Sequence, residues 1–204
     1  MSRPLRRLLS EGSFFLLLMA CALLCGWRWL LAAALAAVVH EGGHLLLLRA
    51  FHAGRGRLRI DAAGLCWERQ GRLLRYGQEL TAALAGPAAN LLAALALAFA
   101  AGRFRWETGY FLAGTQLVPG LFNLLPVLPL DGAQALELFL SWLMGPIPAA
   151  RLTEAVSLLT LGLLLGSAVW FLALTGTGLL LLGTLALLGL SLREMGLVKE
   201  VGRE

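Results

Sequence analysis

The sequence predicts an all-α polytopic membrane protein, with about six transmembrane helices and a small β-sheet or hairpin region between the second and third. Hydrophobic residues make up 59% of the 204 residues, and charged residues only 14%. A soluble domain carries about 25% charged residues. The mean hydropathy is +0.78, and apolar runs of the length that crosses a bilayer recur along the chain.

Six apolar runs are candidate spans, and turn residues such as Gly26 and Gly102 separate them. The second run contains two histidines. The fourth is interrupted by prolines, which remove backbone donors and open a helix. The six runs cover residues 10–27, 29–51, 79–101, 109–130, 154–174 and 177–192.

The positions of Lys and Arg predict the orientation. With the N-terminus inside, 14 of the 17 Lys and Arg residues fall in cytoplasmic segments, and only Arg28, Arg103 and Arg105 fall outside. Lys and Arg concentrate in cytoplasmic loops. We therefore expect an integral, multi-pass protein of the cell membrane, with both termini in the cytoplasm. The net charge of +5 then reflects topology and predicts no nucleic-acid partner.

Residues 52–78 form the one sizeable stretch between spans. Three short segments alternate polar and apolar residues, as half-buried strands do, and Gly64 and Gly71 supply turns between them. The segments are Arg57–Asp61, Leu65–Arg69 and Arg72–Tyr76. They predict a small antiparallel sheet at the cytoplasmic membrane face. A basic loop that only fixes topology is the alternative, and the sequence leaves both open.

The second span contains His40-Glu41-Gly42-Gly43-His44, an H-E-x-x-H motif. Residues four apart share a helix face, so His40 and His44 are candidate ligands of one metal ion. Glu41 is a candidate general base for a water molecule at that ion. The alternative is a polar patch between packed helices. A charged residue at mid-membrane costs about 2.5–3.5 kcal/mol on insertion scales, which favours the functional interpretation.

A catalytic zinc usually takes three protein ligands, and two residues are candidates for the third. His52 lies past Arg49, near the membrane surface, and is the weaker one. Asp131 follows a proline-broken run where the fourth span reaches the cytoplasmic side, the depth of the histidine motif. Such open backbone survives at membrane depth only inside protein or along a wet cavity. Alternatively, Asp131 caps a helix that begins at Gly132.

Three motifs in this order resemble the site-2 proteases, which are intramembrane zinc metalloproteases. They are H-E-G-G-H, then A-G-P-A-A-N at 85–90, then N-L-L-P-V-L-P-L-D-G at 123–132. The resemblance implies a zinc-dependent endopeptidase with Zn²⁺ on His40, His44 and Asp131. It implies Glu41 as the catalytic acid/base, and Asn90 and Asn123 as residues that bind the substrate backbone.

The expected organisation is a single membrane-embedded metalloprotease domain over residues 1–204. Its core is 29–132, its extra spans are 10–27, 154–174 and 177–192, and it has no PDZ or CBS domain. Within the family, this looks most like the stage IV sporulation protein FB branch. That branch implies a sporulation sigma-factor precursor as a membrane-associated substrate, and membrane inhibitor or regulator proteins as further partners. Ala133 departs from the common D-G-G pattern.

Other functions stay open at this point. They are a site-2 protease for anti-sigma factors or signal-peptide remnants, a non-catalytic membrane scaffold, and a transporter with an ion at a broken helix. A different metalloprotease class would take Glu137 or Glu154 as its third ligand. The scaffold predicts degraded metal residues and the transporter predicts two similar halves. The sequence shows neither feature.

Overall fold

The computed structural model describes residues 26–52, 57–61, 64–68 and 74–176. Five helices and two strands lie in this part of the chain, in the order α1 (Trp27–Ala50), β1 (Arg57–Asp61), β2 (Gly64–Glu68), α2 (Tyr76–Phe104), α3 (Glu107–Asn123), α4 (Asp131–Met144) and α5 (Pro146–Thr175). The chain divides into two compact units, Met1–Asn123 and Leu124–Glu204.

Three of the described helices, α1, α2 and α5, are long and apolar enough to cross a membrane. Their lengths of 24, 29 and 30 residues exceed the roughly 20 residues that a bilayer requires. The predicted sixth span, 177–192, lies outside the described residues, and so does the predicted first span, 10–27, except for Gly26 and Trp27. The described part therefore supports a membrane protein, and it does not reach the predicted count of six spans.

The predicted fourth span, 109–130, is broken, as its prolines predict, but its helical part covers only the residues up to Asn123. Helix α3 ends at Asn123, residues 124–130 are not helical, and α4 begins at Asp131. Pro126 and Pro129 explain the break, because proline has no N–H to donate and disfavours helix in the residue before it. Pro119 lies inside α3 without ending it. The predicted fifth span, 154–174, begins eight residues earlier than expected, at Pro146.

Between α1 and α2, the strands β1 and β2 pair antiparallel, with Arg57 opposite Glu68 and Asp61 opposite Gly64. The third predicted strand, Arg72–Tyr76, is wrong at its end, since Tyr76 begins α2. The Gln78 side chain accepts a hydrogen bond from the Arg75 backbone N–H at 3.2 Å, which caps that helix start. A sheet over the whole of 57–76 stays a prediction.

In the first unit, α2 packs antiparallel against both α1 and α3. Helices α1 and α2 approach closely at Gly43, where an added Cβ would lie 2.8 Å from the Cβ of Ala89. Small residues permit such close packing of membrane helices, because lipid supplies no hydrophobic drive for association. At the other end of α1, the rings of Trp29 and Phe111 meet edge to face, 4.6 Å apart.

In the second unit, the non-helical segment 124–130 packs against α5 and is hydrogen-bonded to it. Val127 is fully buried and packs with Leu161 and Ala168. The Leu128 backbone N–H donates to the Ser157 hydroxyl at 3.2 Å, and that hydroxyl donates to the Thr153 carbonyl at 2.7 Å. The chain therefore enters α4 in a defined conformation, although its prolines prevent a regular helix.

We expect Ser157→Ala to lower the free energy of unfolding by about 1–3 kcal/mol, because the Leu128 N–H loses its partner in a part-buried site. Thermal unfolding of the detergent-solubilised protein measures this. Ser167→Ala is the matched control, since Ser167 lies on the same helix, is exposed, and donates only to the Leu164 carbonyl. Equal loss of stability in the two variants would contradict the fastening role of Ser157.

Candidate metal centre

The two histidines of the H-E-x-x-H motif lie together on one face of α1. The Nε2 atoms of His40 and His44 are 3.3 Å apart, and both residues are half-buried. Two nitrogen ligands at zinc bond lengths of about 2.0–2.1 Å and a tetrahedral angle lie about 3.3–3.4 Å from each other. The separation of the two nitrogens therefore fits a single zinc ion.

The His44 ring is oriented by a backbone carbonyl of the neighbouring helix. Its Nδ1 lies 2.7 Å from the Ala82 carbonyl oxygen. A carbonyl only accepts, so Nδ1 carries the proton and Nε2 presents its lone pair. A hydrogen bond of this kind commonly fixes a metal-binding histidine. Pro87 lies inside α2 and has no N–H, so it removes the helical hydrogen bond to the carbonyl of Ala83, the residue after Ala82.

His40 is oriented from the same face of α2. Its Nδ1 lies 3.4 Å from the side-chain nitrogen of Asn90, and Asn90 has no exposed surface. The sequence predicts Asn90 as a substrate-binding residue, and that role stays a prediction. The Asn90 side chain contacts His40, one of the two candidate metal ligands. The spacing of Ala82, Gly86 and Asn90, four residues apart, places all three on one face of α2, but it does not show that this face meets His40.

Gly86 lies directly against the two imidazoles. A Cβ at this position would lie 2.8 Å from Nε2 of His40 and would contact Nε2 of His44. Glycine therefore leaves open the space that both nitrogen lone pairs face. Three features of the histidine pair fit a metal site. They are the open space at Gly86, the separation of the two nitrogens and the fixed His44 ring.

Glu41 is half-buried and lies next to His40 on α1. Successive residues on a helix are turned by about 100°. The Glu41 side chain therefore leaves the helix beside the histidine face, where a base would flank a bound ion. The role of Glu41 as general base stays a prediction.

Asp131 belongs to the second unit, where it is the first residue of α4 and half-buried. The N-cap position is held by Leu130, whose carbonyl accepts from the N–H groups of Ala133 and Gln134. Asp131 is therefore not the N-cap residue that the sequence offered as an alternative. The next position requires glycine, because a Cβ on Gly132 would collide with the backbone of Leu124 and Leu125.

Two other residues singled out by sequence lie at element ends. Asn123 is the last residue of α3, and its side-chain N–H donates to the Pro119 carbonyl at 3.1 Å. His52 is exposed, in a turn after α1, with a φ of 52°. His52 thus lies two turns beyond His44, at the end of the helix, as expected for a loop residue.

Comparison with known proteins gives two findings. Residues 103–167 match the model of peptidase family M50, a segment that contains Asn123 and Asp131 and spans under half of the chain. The fold is similar to that of the site-2 protease from Methanocaldococcus jannaschii, with a TM-score of 0.64 and 17% sequence identity over 89% of this chain and 85% of that one. None of the curated protein sequences compared with the chain matches it.

We expect Gly86→Ala to lower zinc affinity by about tenfold or more, because the methyl group enters the space that the two Nε2 atoms face. Chelator competition on the purified protein measures the affinity. Gly114→Ala in α3 is the control, since an added Cβ there meets nothing within 4 Å. Unchanged zinc affinity in Gly86→Ala would place the ion away from the histidine pair.

Proposed function

We propose that this protein is an intramembrane zinc metalloprotease of peptidase family M50, the site-2 proteases. The observation that carries the proposal is the pair of Nε2 atoms 3.3 Å apart on an apolar helix long enough to cross a membrane. The match of residues 103–167 to the family and the similarity of fold to a site-2 protease support it.

The proposed zinc ligands are His40, His44 and Asp131. Two imidazoles and one carboxylate are a ligand set that suits zinc and leaves a fourth position open for water or substrate. Asp131 is proposed from the motif L-D-G and from its place after a proline-broken segment. The anchoring of that segment by Ser157 supports the proposal, because a metal ligand needs a fixed backbone.

A bound zinc ion would act as a Lewis acid and make water a nucleophile near neutral pH. Glu41 would take the proton from the attacking water and later give it to the leaving amine. Both transfers need a carboxylate within reach of the scissile bond, and the position beside His40 on α1 supplies one. Partial burial of His40, Glu41 and His44 would limit their contact with bulk solvent, which strengthens each electrostatic interaction.

The proposed substrate is a membrane-associated protein cut within or near the bilayer. A membrane helix holds its amides in its own hydrogen bonds, so the substrate must unwind before cleavage. Strands β1 and β2 are candidates to pair with the extended segment. Asn123, at the end of α3, is a candidate to hold freed backbone groups. We keep a sporulation sigma-factor precursor as the proposed substrate, and an anti-sigma factor or a signal-peptide remnant as alternatives.

We further propose that the arginine-rich end of the first unit faces the cytoplasm. The sequence has seven arginines from Arg49 to Arg75, which covers the end of α1 and the start of α2. The opposite end has only three, Arg28, Arg103 and Arg105, beside Trp27, Trp29 and Trp106. Aromatic residues mark membrane interfaces, and Arg marks the cytoplasmic side. His44 is six residues from the end of α1 at Ala50, about 9 Å at 1.5 Å per residue. The active site would then open toward the cytoplasmic side.

Removal of a proposed ligand should remove the metal. We expect about one zinc per chain in the wild-type protein and little or none in His44→Ala and Asp131→Ala. Elemental analysis after dialysis measures the zinc content. His52→Ala and Asp61→Ala are the matched controls, because His52 is the only other histidine and Asp61 the only other aspartate. Full zinc content in Asp131→Ala would refute its role as a ligand.

Glu41→Gln should stop proteolysis and keep zinc. We expect the cleavage rate of a membrane-tethered reporter in proteoliposomes to fall by about 10²–10⁴-fold, the usual contribution of general acid–base catalysis. Glu107→Gln, an exposed glutamate in the first turn of α3, is the control. Cleavage by Glu41→Gln at the wild-type rate would overturn the proposed enzymatic function.

A further inference from the structure

We propose that Arg28, Arg103 and Arg105 form a surface that binds the phosphate groups of anionic phospholipids. This arginine surface lies at the end of the first unit where α1 begins and α2 ends. The proposed protease mechanism does not use these residues, and their binding of lipid needs no zinc.

The three arginines lie on helix ends that meet. Arg28 is in the first turn of α1, and Arg103 is in the last turn of α2. Arg105 follows α2 and lies two residues before the start of α3. Helices α2 and α3 touch at this end, since an added Cβ on Gly109 would lie 2.8 Å from the Cβ of Ala101.

Helix α1 reaches the same place. Trp29, the neighbour of Arg28, contacts Phe111, one turn into α3, with ring centroids 4.6 Å apart. The start of α3 therefore packs against both α1 and α2, and packed helices have axes about 8–10 Å apart. This places the three arginines on one surface of the first unit.

The arginine surface carries positive charge that the described part of the chain does not neutralise. All three side chains are exposed, and none of them forms an ion pair with another described residue. Glu107, in the first turn of α3, offsets only one of the three charges. Helix α1 begins here without an acidic residue or a side-chain cap, so its N-terminus adds partial positive charge.

Aromatic residues place the arginine surface at the level of the lipid headgroups. Exposed tryptophans flank Arg28 on both sides, and another follows Arg105. Tryptophan concentrates at membrane interfaces, where phosphate groups lie, and arginine binds phosphate with paired hydrogen bonds. In the proposed orientation this end faces away from the cytoplasm, so the concentration of arginine in cytoplasmic loops does not account for these three residues. Lipid phosphate does.

Lipid bound at the arginine surface holds the start of α1 at the headgroup level. His40 lies twelve residues along α1 from Arg28, about 18 Å at 1.5 Å per residue. The depth of the histidine pair in the bilayer is thereby set from this end of the helix.

Quenching of tryptophan fluorescence by brominated phospholipids tests the proposal. Of the six tryptophans in the chain, the three that lie away from the arginine surface are first replaced, by Trp67→Phe, Trp142→Phe and Trp170→Phe. The full chain is then reconstituted in bilayers with brominated phosphatidylglycerol, which is anionic, or brominated phosphatidylcholine, which is zwitterionic. The remaining tryptophans report only lipid bound beside the arginine surface.

We expect phosphatidylglycerol to bind more tightly than phosphatidylcholine. Arg28→Gln combined with Arg103→Gln should lower this preference by about fivefold for each arginine removed. Arg49→Gln combined with Arg151→Gln is the matched control, because it removes two other exposed arginines and the same net charge. The control should keep the preference, and thermal unfolding shows whether each variant is folded.

Equal binding of the two lipids by the protein with its arginines intact would overturn the proposal. So would an unchanged preference in the folded variant without Arg28 and Arg103, or an equal loss in the control. Displacement of phosphatidylglycerol by the same concentration of inorganic phosphate would show a site for free phosphate and overturn the assignment to lipid. None of these measurements needs zinc or proteolysis, so their outcome is separate from that of the proposed function.

Discussion

The close approach of α1 and α2 is the constraint on which the candidate site depends. Two imidazoles bind one ion only if their nitrogens stay near 3.3 Å apart, and side chains in a half-buried site do not hold that separation by themselves. The second helix holds it, through the Ala82 carbonyl on one ring and Asn90 on the other. Glycine at position 86 lets the helices come together without filling the space between the rings.

The same constraint explains why polar groups are tolerated inside an apolar bundle. Asn90 and Gln116 are almost without exposed surface in the first unit, and isolated polar groups of this kind are costly in lipid. Asn90 is accounted for by its contact with His40. In the second unit, Ser157 and Thr153 are buried on α5, and Ser157 binds the backbone of the non-helical segment. Asn90 and Ser157 therefore lie where a proposed ligand or irregular backbone needs a partner.

The proline-broken segment between α3 and α4 shows how a membrane protein supports open backbone. Residues 124–130 lack the hydrogen bonds of a helix, and such backbone is stable at membrane depth only when protein surrounds it. Burial of Val127 against α5 and the hydrogen bond from Leu128 to Ser157 provide that protection. The segment ends at Leu130, which caps α4, and Asp131 is thereby fixed as the first helical residue.

The sequence by itself determined the membrane class, the approximate position of the long apolar helices and the identity of the histidine pair. These follow from local properties, because hydrophobic length and the 3.6-residue period are properties of the chain alone. The sequence did not determine where the helix of the fourth span ends. The apolar composition of this run favours a continuous helix and its prolines oppose one, and the outcome depends on what packs against the segment. Nor did it assign Asn90 to His40, 50 residues away. Only tertiary structure decided that contact, because it depends on how closely two helices pack.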